Sequence, residues 1–310
     1  MSAWILGHKN PDSDSIISAL ACADLYRRRG LDVQARAQGK PAPETQFILE
    51  RFGLEAPEVI DSVAGQDLYL VDFSDKAQAP ADIDQANLKG IVDHHKLGDV
   101  TSSSPIECVI WPVGCTCTIL KRMYDYAGFD VPASIAGIML SAILSDTVIF
   151  KSPTCTEADR QAAQELAKIA GIEDIQAFGM EIFKAKSAVA GTSARELIFR
   201  DFKDFNMNGF KVGVGQLELV SLDLVADMKA SIEEELARVK SEEGRHTALL
   251  LLTDIMKEGS ELLMVSDDPV RIAKAFGHTE AELANGHLWL DGVMSRKKQV
   301  VPALEAAFKA

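Results

Sequence analysis

The first part of the chain alternates between short apolar blocks and amphipathic stretches. Residues 3–7 form an apolar run that reads as a buried strand, and residues 13–29 place apolar side chains at helical spacing until Gly30 ends the run. The alternation continues with a strand over 31–37, a helix over 44–52, a strand over 68–71, a helix near Ile83 and a strand over 90–92. Strand and helix in turn predict a parallel sheet flanked by helices. From Cys115 to Ala188 the pattern is almost wholly helical, punctuated by Pro132, Pro153 and Gly171, and the apolar run 135–150 reads as a buried helix entering a loop. The texture changes at the small, polar stretch Ala190-Gly-Thr-Ser193, which suits a linker. Beyond it, residues 201–217 read as two strands joined at Asn208-Gly209, the dipeptide best suited to a two-residue hairpin turn. A long helix over 222–243, strands over 248–252 and 262–265, and helices over 270–276 and 302–309 complete the second pattern. The expected fold class is therefore α/β: an N-terminal parallel-sheet domain with flanking helices over 1–189, and a smaller C-terminal α/β domain with a mixed sheet over 190–310.

Length agrees with that division, because the chain has 310 residues and single cores stop growing near roughly 250. A formal charge of −14 repels a polyanionic nucleic-acid backbone. Any anionic substrate then requires a local cation cluster or a metal. The run 135–150 contains Ser141, Ser145 and Asp146 and falls short of the roughly 18 residues needed to span a membrane. Residues 3–6 are too short for a signal-peptide core, so a cytoplasmic protein without membrane association is expected. The five cysteines, Cys22, Cys108, Cys115, Cys117 and Cys155, include no Cys-x-x-Cys pair and read as reduced, buried thiols.

Acidic and imidazole side chains recur directly after apolar segments, where a bare charge is costly unless paired or coordinated. The first group is Gly7-His8-Lys-Asn-Pro11-Asp12-Ser-Asp14, at the junction of the first strand and helix. Starting that helix needs one cap, Asp12 or Ser13; it does not need two carboxylates and a histidine. The second group, Ile91-Val92-Asp93-His94-His95, also ends a strand. Adjacent histidines on extended backbone point to opposite sides, which suits one to ligation and the other to proton donation. Asp72 closes the strand over 68–71, and Asp146 follows the apolar helix.

Together His8, His94, Asp12, Asp14, Asp72 and Asp146 offer imidazole and carboxylate donors and no thiolate, a set suited to Mn²⁺, Fe²⁺ or Co²⁺ rather than to structural zinc. Its oxygens suffice for two ions, which about 3.5–4 Å apart activate a shared water and stabilise attacking and leaving oxygens in phosphoryl displacement. A basic run, Ser295-Arg296-Lys297-Lys298, lies in the second domain of an otherwise acidic chain. Standing alone it would read as a solvated turn, but guanidinium and ammonium groups also grip phosphate oxygens. A metal centre in one domain and a cationic grip in the other imply a substrate held in the cleft between them.

The motifs Gly7-His-Lys-Asn-Pro-Asp-Ser-Asp14, Val92-Asp-His-His95, Ser145-Asp-Thr-Val-Ile-Phe-Lys-Ser-Pro-Thr154 and Ser295-Arg-Lys-Lys-Gln299 resemble the family II, manganese-dependent inorganic pyrophosphatases of the Asp-His-His phosphoesterase superfamily. The first two motifs are common to that superfamily, and the last marks the pyrophosphatase branch. The resemblance implies two Mn²⁺ per subunit, with Co²⁺ as a substitute: one on His8, Asp12 and Asp72, the other on Asp14, Asp72, His94 and Asp146, so that Asp72 bridges them. It further implies that His95, Lys203, Arg296 and Lys297 hold the pyrophosphate, with His95 also a candidate proton donor. An Mg²⁺ arriving with the substrate and a homodimeric assembly complete the implication. Where the family commonly has His-Asn-Glu after the bridging aspartate, this chain has Phe73-Ser74-Asp75. Changes in such outer-shell partners typically alter metal sites by roughly 10–100-fold.

The expected reaction is hydrolysis of inorganic pyrophosphate to two orthophosphates by a metal-bridging hydroxide, with no covalent enzyme intermediate. Two other readings stand beside it. One is a related phosphoesterase acting on oligonucleotides, cyclic dinucleotides or polyphosphate, whose nucleic-acid-acting members usually carry a Gly-Gly-Gly-His motif that this chain lacks. The other is a non-catalytic metal-binding scaffold.

Overall fold

The computed structural model describes residues 2–187, 189, 191–285 and 287–309, with backbone alone at 281, 284 and 285. The chain divides into two compact units, Met1–Ala185 and Lys186–Ala310. The expected linker begins at Ala190, which with Ala188 lies outside the described residues.

In the first unit β1 (Ala3–Leu6) leads to α1 (Ser13–Arg28), β2 (Val33–Ala37), α2 (Pro43–Arg51), β3 (Glu58–Val59), β4 (Asp67–Val71), β5 (Asn87–Asp93) and β6 (Glu107–Ile110). Helices α3 (Thr116–Ala127), α4 (Ala133–Asp146), α5 (Glu157–Ala170) and α6 (Ile175–Lys186) follow. The strands are all parallel, in the order β3-β2-β1-β4-β5-β6. The chain winds outward from β1 through β2 and β3, then returns to lay β4 on the other side of β1. Strand order thus reverses between β1 and β4, and the crevice beyond the carboxyl ends at such a point is where open α/β sheets take ligands.

The expected helix near Ile83 is a single 3₁₀ turn, Ile83–Gln85. Ile83 is the one buried residue of that turn, flanked by Asp82 and Asp84, so there is no apolar face to hold a longer helix. The edge strands β3 and β6, which were not anticipated, carry only exposed or half-exposed residues. Cys108 lies in β6 and is exposed, and Cys155 is partly exposed, so the expectation of buried thiols holds only for Cys22, Cys115 and Cys117. Helix α4 is buried from Ile135 to Ser145, as a helix with apolar residues all round it must be, and packs against α1, α3 and α5. Among the described residues no helix is long and apolar enough to cross a membrane.

Two contacts in this unit decide where the site forms. Gly7 follows β1 beneath the first turn of α1, where a Cβ would lie 2.1 Å from Ser15 Oγ and 2.5 Å from the Ser15 carbonyl oxygen. The bare backbone lets α1 start against the end of the strand. The fully buried Asp159 of α5 accepts from Gly114 N at 2.9 Å, Thr156 N at 2.7 Å and Thr118 Oγ1 at 2.6 Å, tying the first turns of α5 and α3 together.

The second unit contains α7 (Ala194–Ile198), β7 (Phe202–Met207), β8 (Phe210–Leu219), α8 (Lys229–Ser241), β9 (Thr247–Asp254), β10 (Gly259–Ser266), α9 (Pro269–Ala275), β11 (His287–Asp291) and α10 (Val301–Lys309). Its sheet, β11-β10-β9-β8-β7, is mixed, with β8 and β9 parallel and the other pairs antiparallel. The hairpin turn falls at Asn208 and Gly209, whose φ values of 53° and 87° are those a type I′ turn requires. Strand β9 is buried along its whole length: Leu249 and Leu251 join Ile272, Leu304 and Phe308 on one face, and Leu250 and Leu252 join Ile232 and Leu236 on the other. The single long helix expected over 222–243 is two pieces, a 3₁₀ stretch Leu222–Met228 followed by α8. Leu222, Val225 and Met228 recur every third residue, the 3₁₀ period, and face the same core. Strand β11, an edge strand, was not anticipated.

Replacing Gly7 with alanine forces a Cβ into the Ser15 backbone. The expected outcome is a loss of about 1–3 kcal/mol, the usual cost of overpacking, read as a lower melting temperature together with weaker Mn²⁺ binding. An unchanged transition and unchanged binding would show that α1 does not depend on this contact.

Candidate metal centre

Strands β1, β4 and β5 lie side by side, and the residues that follow them converge. His8 comes from the turn after β1, Asp72 directly follows β4, and His94 and His95 follow β5. The start of α1 adds its N-cap Asp12 and, in the first turn, Asp14; Asp146 is the last residue of α4. After Asp146 the chain turns through Val148, Ile149 and Phe150, all with left-handed φ of 51°, 49° and 65°. For β-branched residues that conformation is a genuine outlier.

Two donor sets result. His8 Nε2 lies 3.3 Å from Asp72 Oδ2 and 3.5 Å from Asp12 Oδ2. His94 Nε2 lies 3.3 Å from Asp72 Oδ1, 3.6 Å from Asp146 Oδ2 and 4.0 Å from Asp14 Oδ2. His8, Asp12 and Asp72 form one group able to surround an ion, and Asp14, His94 and Asp146 form another. Asp72 turns one oxygen to each. On the far side of these rings, His8 Nδ1 is 2.7 Å from the Lys9 carbonyl oxygen and His94 Nδ1 is 3.0 Å from that of Val113. A carbonyl only accepts, so Nδ1 carries a proton in both, and Nε2 is the nitrogen that could ligate an ion.

Burial sets the electrostatics. Asp14 is 1% exposed and accepts from Thr116 N at 2.7 Å, Ser18 Oγ at 2.8 Å and Cys117 N at 3.3 Å. Burial, and next the charge of Asp72, push its pKa up to about 7. For His8, burial opposes the charged ring, but Asp12 and Asp72 together outweigh it and push the pKa up to about 10. Asp72 is equally buried, accepts from Thr116 Oγ1 at 3.1 Å, and has its Oδ2 without a hydrogen-bond partner. Its φ of 67° places a non-glycine residue in left-handed backbone, which aspartate tolerates better than most.

These observations fit a divalent cation. Imidazole-to-carboxylate separations of 3.3–4.0 Å exceed the about 2.7–2.9 Å of a charge-assisted hydrogen bond and suit ligand atoms sharing an ion. A buried carboxylate oxygen without a hydrogen bond is costly unless a charge meets it; without an ion that charge is the His8 ring at 3.3 Å, and a cation could take its place. The donors nearest Asp72 are oxygen and imidazole nitrogen, the mixture that favours Mn²⁺-like ions. Cys115 and Cys117 also lie beside Asp14, but burial pushes their thiols upward, that of Cys117 to about 11, and keeps them protonated.

The two histidines of the second motif do not point to opposite sides. Strand β5 ends at Asp93, so strand alternation no longer governs them. Their rings meet edge to face at 4.3 Å, and both approach Asp72, His95 Nδ1 at 3.7 Å from Oδ1. Asp93, overlooked in the sequence although it stands inside the motif, is fully buried and contacts His95 Nδ1 at 2.9 Å. Burial works against its charged form, but the bonds from His95 outweigh this and hold the carboxyl below its ordinary range. Thr116, Ser18 and Asp159 were also missed; nothing in their local sequence distinguishes them from ordinary helix residues.

In the second unit, Lys203 lies on β7 in register with Val214 of β8, whose carbonyl oxygen accepts from Arg296 Nη1 at 3.1 Å. Arg296 is 9% exposed and also donates to the Asp201 carbonyl oxygen and to Asp201 Oδ1, each at 2.7 Å. Lys297 and Lys298 are exposed. The run forms one π-helical turn, Arg296–Val300, with Ser295 Oγ accepting from Lys298 N. Gln216 locks this turn to the sheet: its Oε1 accepts from Arg296 N at 3.1 Å, and its Nε2 donates to the Met294 carbonyl oxygen at 3.0 Å.

Residues 2–143 match the DHH family, N-terminal domain, and residues 180–307 match the DHHA2 domain. The chain is 51% identical to an Archaeoglobus fulgidus protein named as a manganese-dependent inorganic pyrophosphatase, with 98% of each covered. It is 44% identical to the manganese-dependent inorganic pyrophosphatase of Methanocaldococcus jannaschii, covering 98% of this chain and 99% of that one. A crystal structure from Methanococcus jannaschii described as a family II inorganic pyrophosphatase superposes with a TM-score of 0.88 at 42% identity, covering 99% of this chain and 100% of the other. An exopolyphosphatase-related protein from Bacteroides fragilis, with a TM-score of 0.50 at 16% identity over 99% of this chain and 92% of its own, shares the fold alone.

A metal ion needs Asp14 ionised and His8 Nε2 free of its proton, whereas in the metal-free protein Asp14 holds a proton up to about pH 7 and His8 up to about pH 10. Metal uptake near neutrality therefore displaces protons. Calorimetry in buffers of differing ionisation enthalpy is expected to detect that release, and Mn²⁺ affinity should weaken as pH falls from about 8 to about 6. Equal affinity at both ends would show that these groups are not the ligands.

Proposed function

Because this chain belongs to the manganese-dependent inorganic pyrophosphatases of the DHH family, we propose that it hydrolyses inorganic pyrophosphate to two orthophosphates with manganese held by the side chains gathered around Asp72. The observation that carries this reading is the division of Asp72 between two donor sets, with one oxygen facing His8 and the other facing His94. His8, Asp12 and Asp72 would hold one ion, and Asp14, Asp72, His94 and Asp146 the other. Manganese at such a site supplies Lewis-acid stabilisation of phosphoryl oxygens and makes water a stronger nucleophile at neutral pH.

The chain's own residues do the rest. Asp14 is fixed by two backbone N–H groups of α3 and by Ser18, so its carboxylate arrives already oriented. His95, a quarter exposed at the rim, contacts the pyrophosphate and gives a proton to the leaving phosphate. Lys203, Arg296 and Lys297 neutralise its oxygens; the bonds of the Arg296 guanidinium to Asp201 and to the Val214 carbonyl oxygen support a fixed rather than a searching group. In this division of labour the first unit carries the metal chemistry and the second carries the substrate cations. Co²⁺ substitutes for Mn²⁺, and Mg²⁺ enters with the substrate. The reading also includes a homodimer in the cytoplasm that binds neither nucleic acid nor membrane; the charge of −14 supports the first of those exclusions.

Metal-stripped protein restored separately with Mn²⁺, Co²⁺, Zn²⁺ and Mg²⁺ is expected to release phosphate from pyrophosphate best with Mn²⁺ or Co²⁺. A marked preference for a short oligonucleotide in parallel assays would overturn the substrate. Asp72→Asn keeps the shape and the tolerance of left-handed backbone but removes the charge. Turnover should fall by more than about 100-fold, beyond the usual outer-shell loss, with the thermal transition intact; global unfolding instead would favour a structural ion.

A further inference from the structure

Asp93 belongs to neither donor set, yet it is fully buried at the end of β5. Its Oδ1 accepts from the His95 backbone N at 3.0 Å and lies 2.9 Å from His95 Nδ1, and its Oδ2 accepts from Ser74 Oγ at 2.9 Å. Ser74 Oγ in turn accepts from Gly98 N at 3.0 Å. That approach needs a glycine, since a Cβ on Gly98 would lie 2.3 Å from the Ser74 carbonyl oxygen. A serine hydroxyl has one proton to give. With Gly98 N–H directed at its oxygen, that proton goes to Asp93 rather than to the Lys96 carbonyl oxygen at 3.4 Å.

Both oxygens of the Asp93 carboxylate are thus acceptors, which makes Nδ1 of His95 the donor. The ring is anchored on Asp93 through Nδ1, so a substrate contact made by His95 would use the opposite nitrogen, Nε2. Ser74 stands where the family commonly has asparagine, so this chain makes the outer bond through a hydroxyl. We propose that Asp93 and, behind it, Ser74 are positioning residues for His95, holding its ring so that Nε2 is the nitrogen presented to the leaving phosphate. The proposal rests on the reading of His95 as a substrate contact.

The test compares the wild-type chain with Asp93→Asn, Ser74→Ala and Ser74→Asn. Three quantities are read: the ¹⁵N resonances of the His95 ring in metal-free protein, kcat and KM for pyrophosphate at saturating Mn²⁺, and the Mn²⁺ dissociation constant. In the wild type Nδ1 should carry a proton in every form of the ring, so that the proton given to the leaving phosphate is the one on Nε2. Asp93→Asn, whose amide can face either way, should mix the ring forms and lower kcat by about 10–100-fold, while Mn²⁺ affinity stays within about threefold of wild type. Ser74→Ala should give a smaller loss of the same kind, and Ser74→Asn should recover most of it.

Wild-type resonances and kcat in both Asp93→Asn and Ser74→Ala would overturn the proposal, as would a loss that disappears on adding more Mn²⁺. Should Asp93→Asn not fold, Ser74→Ala decides by the same readings. A wild-type protein that releases no phosphate from pyrophosphate defeats the functional reading instead, and the ring resonances then still judge whether Asp93 and Ser74 fix His95.

Discussion

Carboxylates gathered in a buried crevice repel one another and are stripped of water, so they persist only if positive charge is placed among them. The buried Asp14 and Asp72 with His8 and His94, flanked by the exposed Asp12 and the partly exposed Asp146, make such a gathering, and much else in the first unit follows from it. Without an ion, protons take its place: Asp14 and His8 are both pushed toward their protonated forms. The same groups are placed so that an ion could take the protons' place. The fold therefore tolerates the cluster by leaving its charge to be balanced from outside.

Holding that cluster together takes unusual backbone. Asp72 sits in left-handed conformation, at a cost on the order of 1–3 kcal/mol, and so turns one carboxylate oxygen to each donor set. The left-handed turn at Val148–Phe150 follows Asp146 and ends α4 abruptly at a residue of the second donor set. Gly7 lets α1 start against β1, and the start of α3 presents N–H groups to Asp14. Asp159 secures α3 from behind. The left-handed residues Asp72 and Val148–Phe150 and the close approach at Gly7 all lie where the donors meet.

Much of the fold was legible because its signals are local. Apolar periodicity marked β1, α1, β2, α2, β4, β5, α4 and β9, and the Asn208-Gly209 turn followed from the left-handed preference of those residues. The edge strands β3, β6 and β11 were not legible, since each is only two to five residues long and too short to establish a period. The split of residues 222–241 into a 3₁₀ stretch and a helix depended on which residues met the core. His8, Asp12, Asp14, Asp72, His94 and Asp146 stood out because charged residues at the ends of apolar segments are conspicuous. Asp93, Ser74, Thr116 and Gln216 did not, because their importance lies in partners distant along the chain.

The sequence by itself determined which donors exist and the class of ion they suit, because donor chemistry is a property of side-chain type. It also determined that they fall at the ends of strands and helices, because hydrophobic period is a property of neighbouring residues. Only the tertiary structure decided that β1, β4 and β5 end side by side, that Asp72 faces both ways, that His94 and His95 share one side, and that Arg296 is held by Asp201. Those relations depend on strand order, backbone dihedrals and side-chain direction, and such properties arise only when segments far apart in sequence pack against one another.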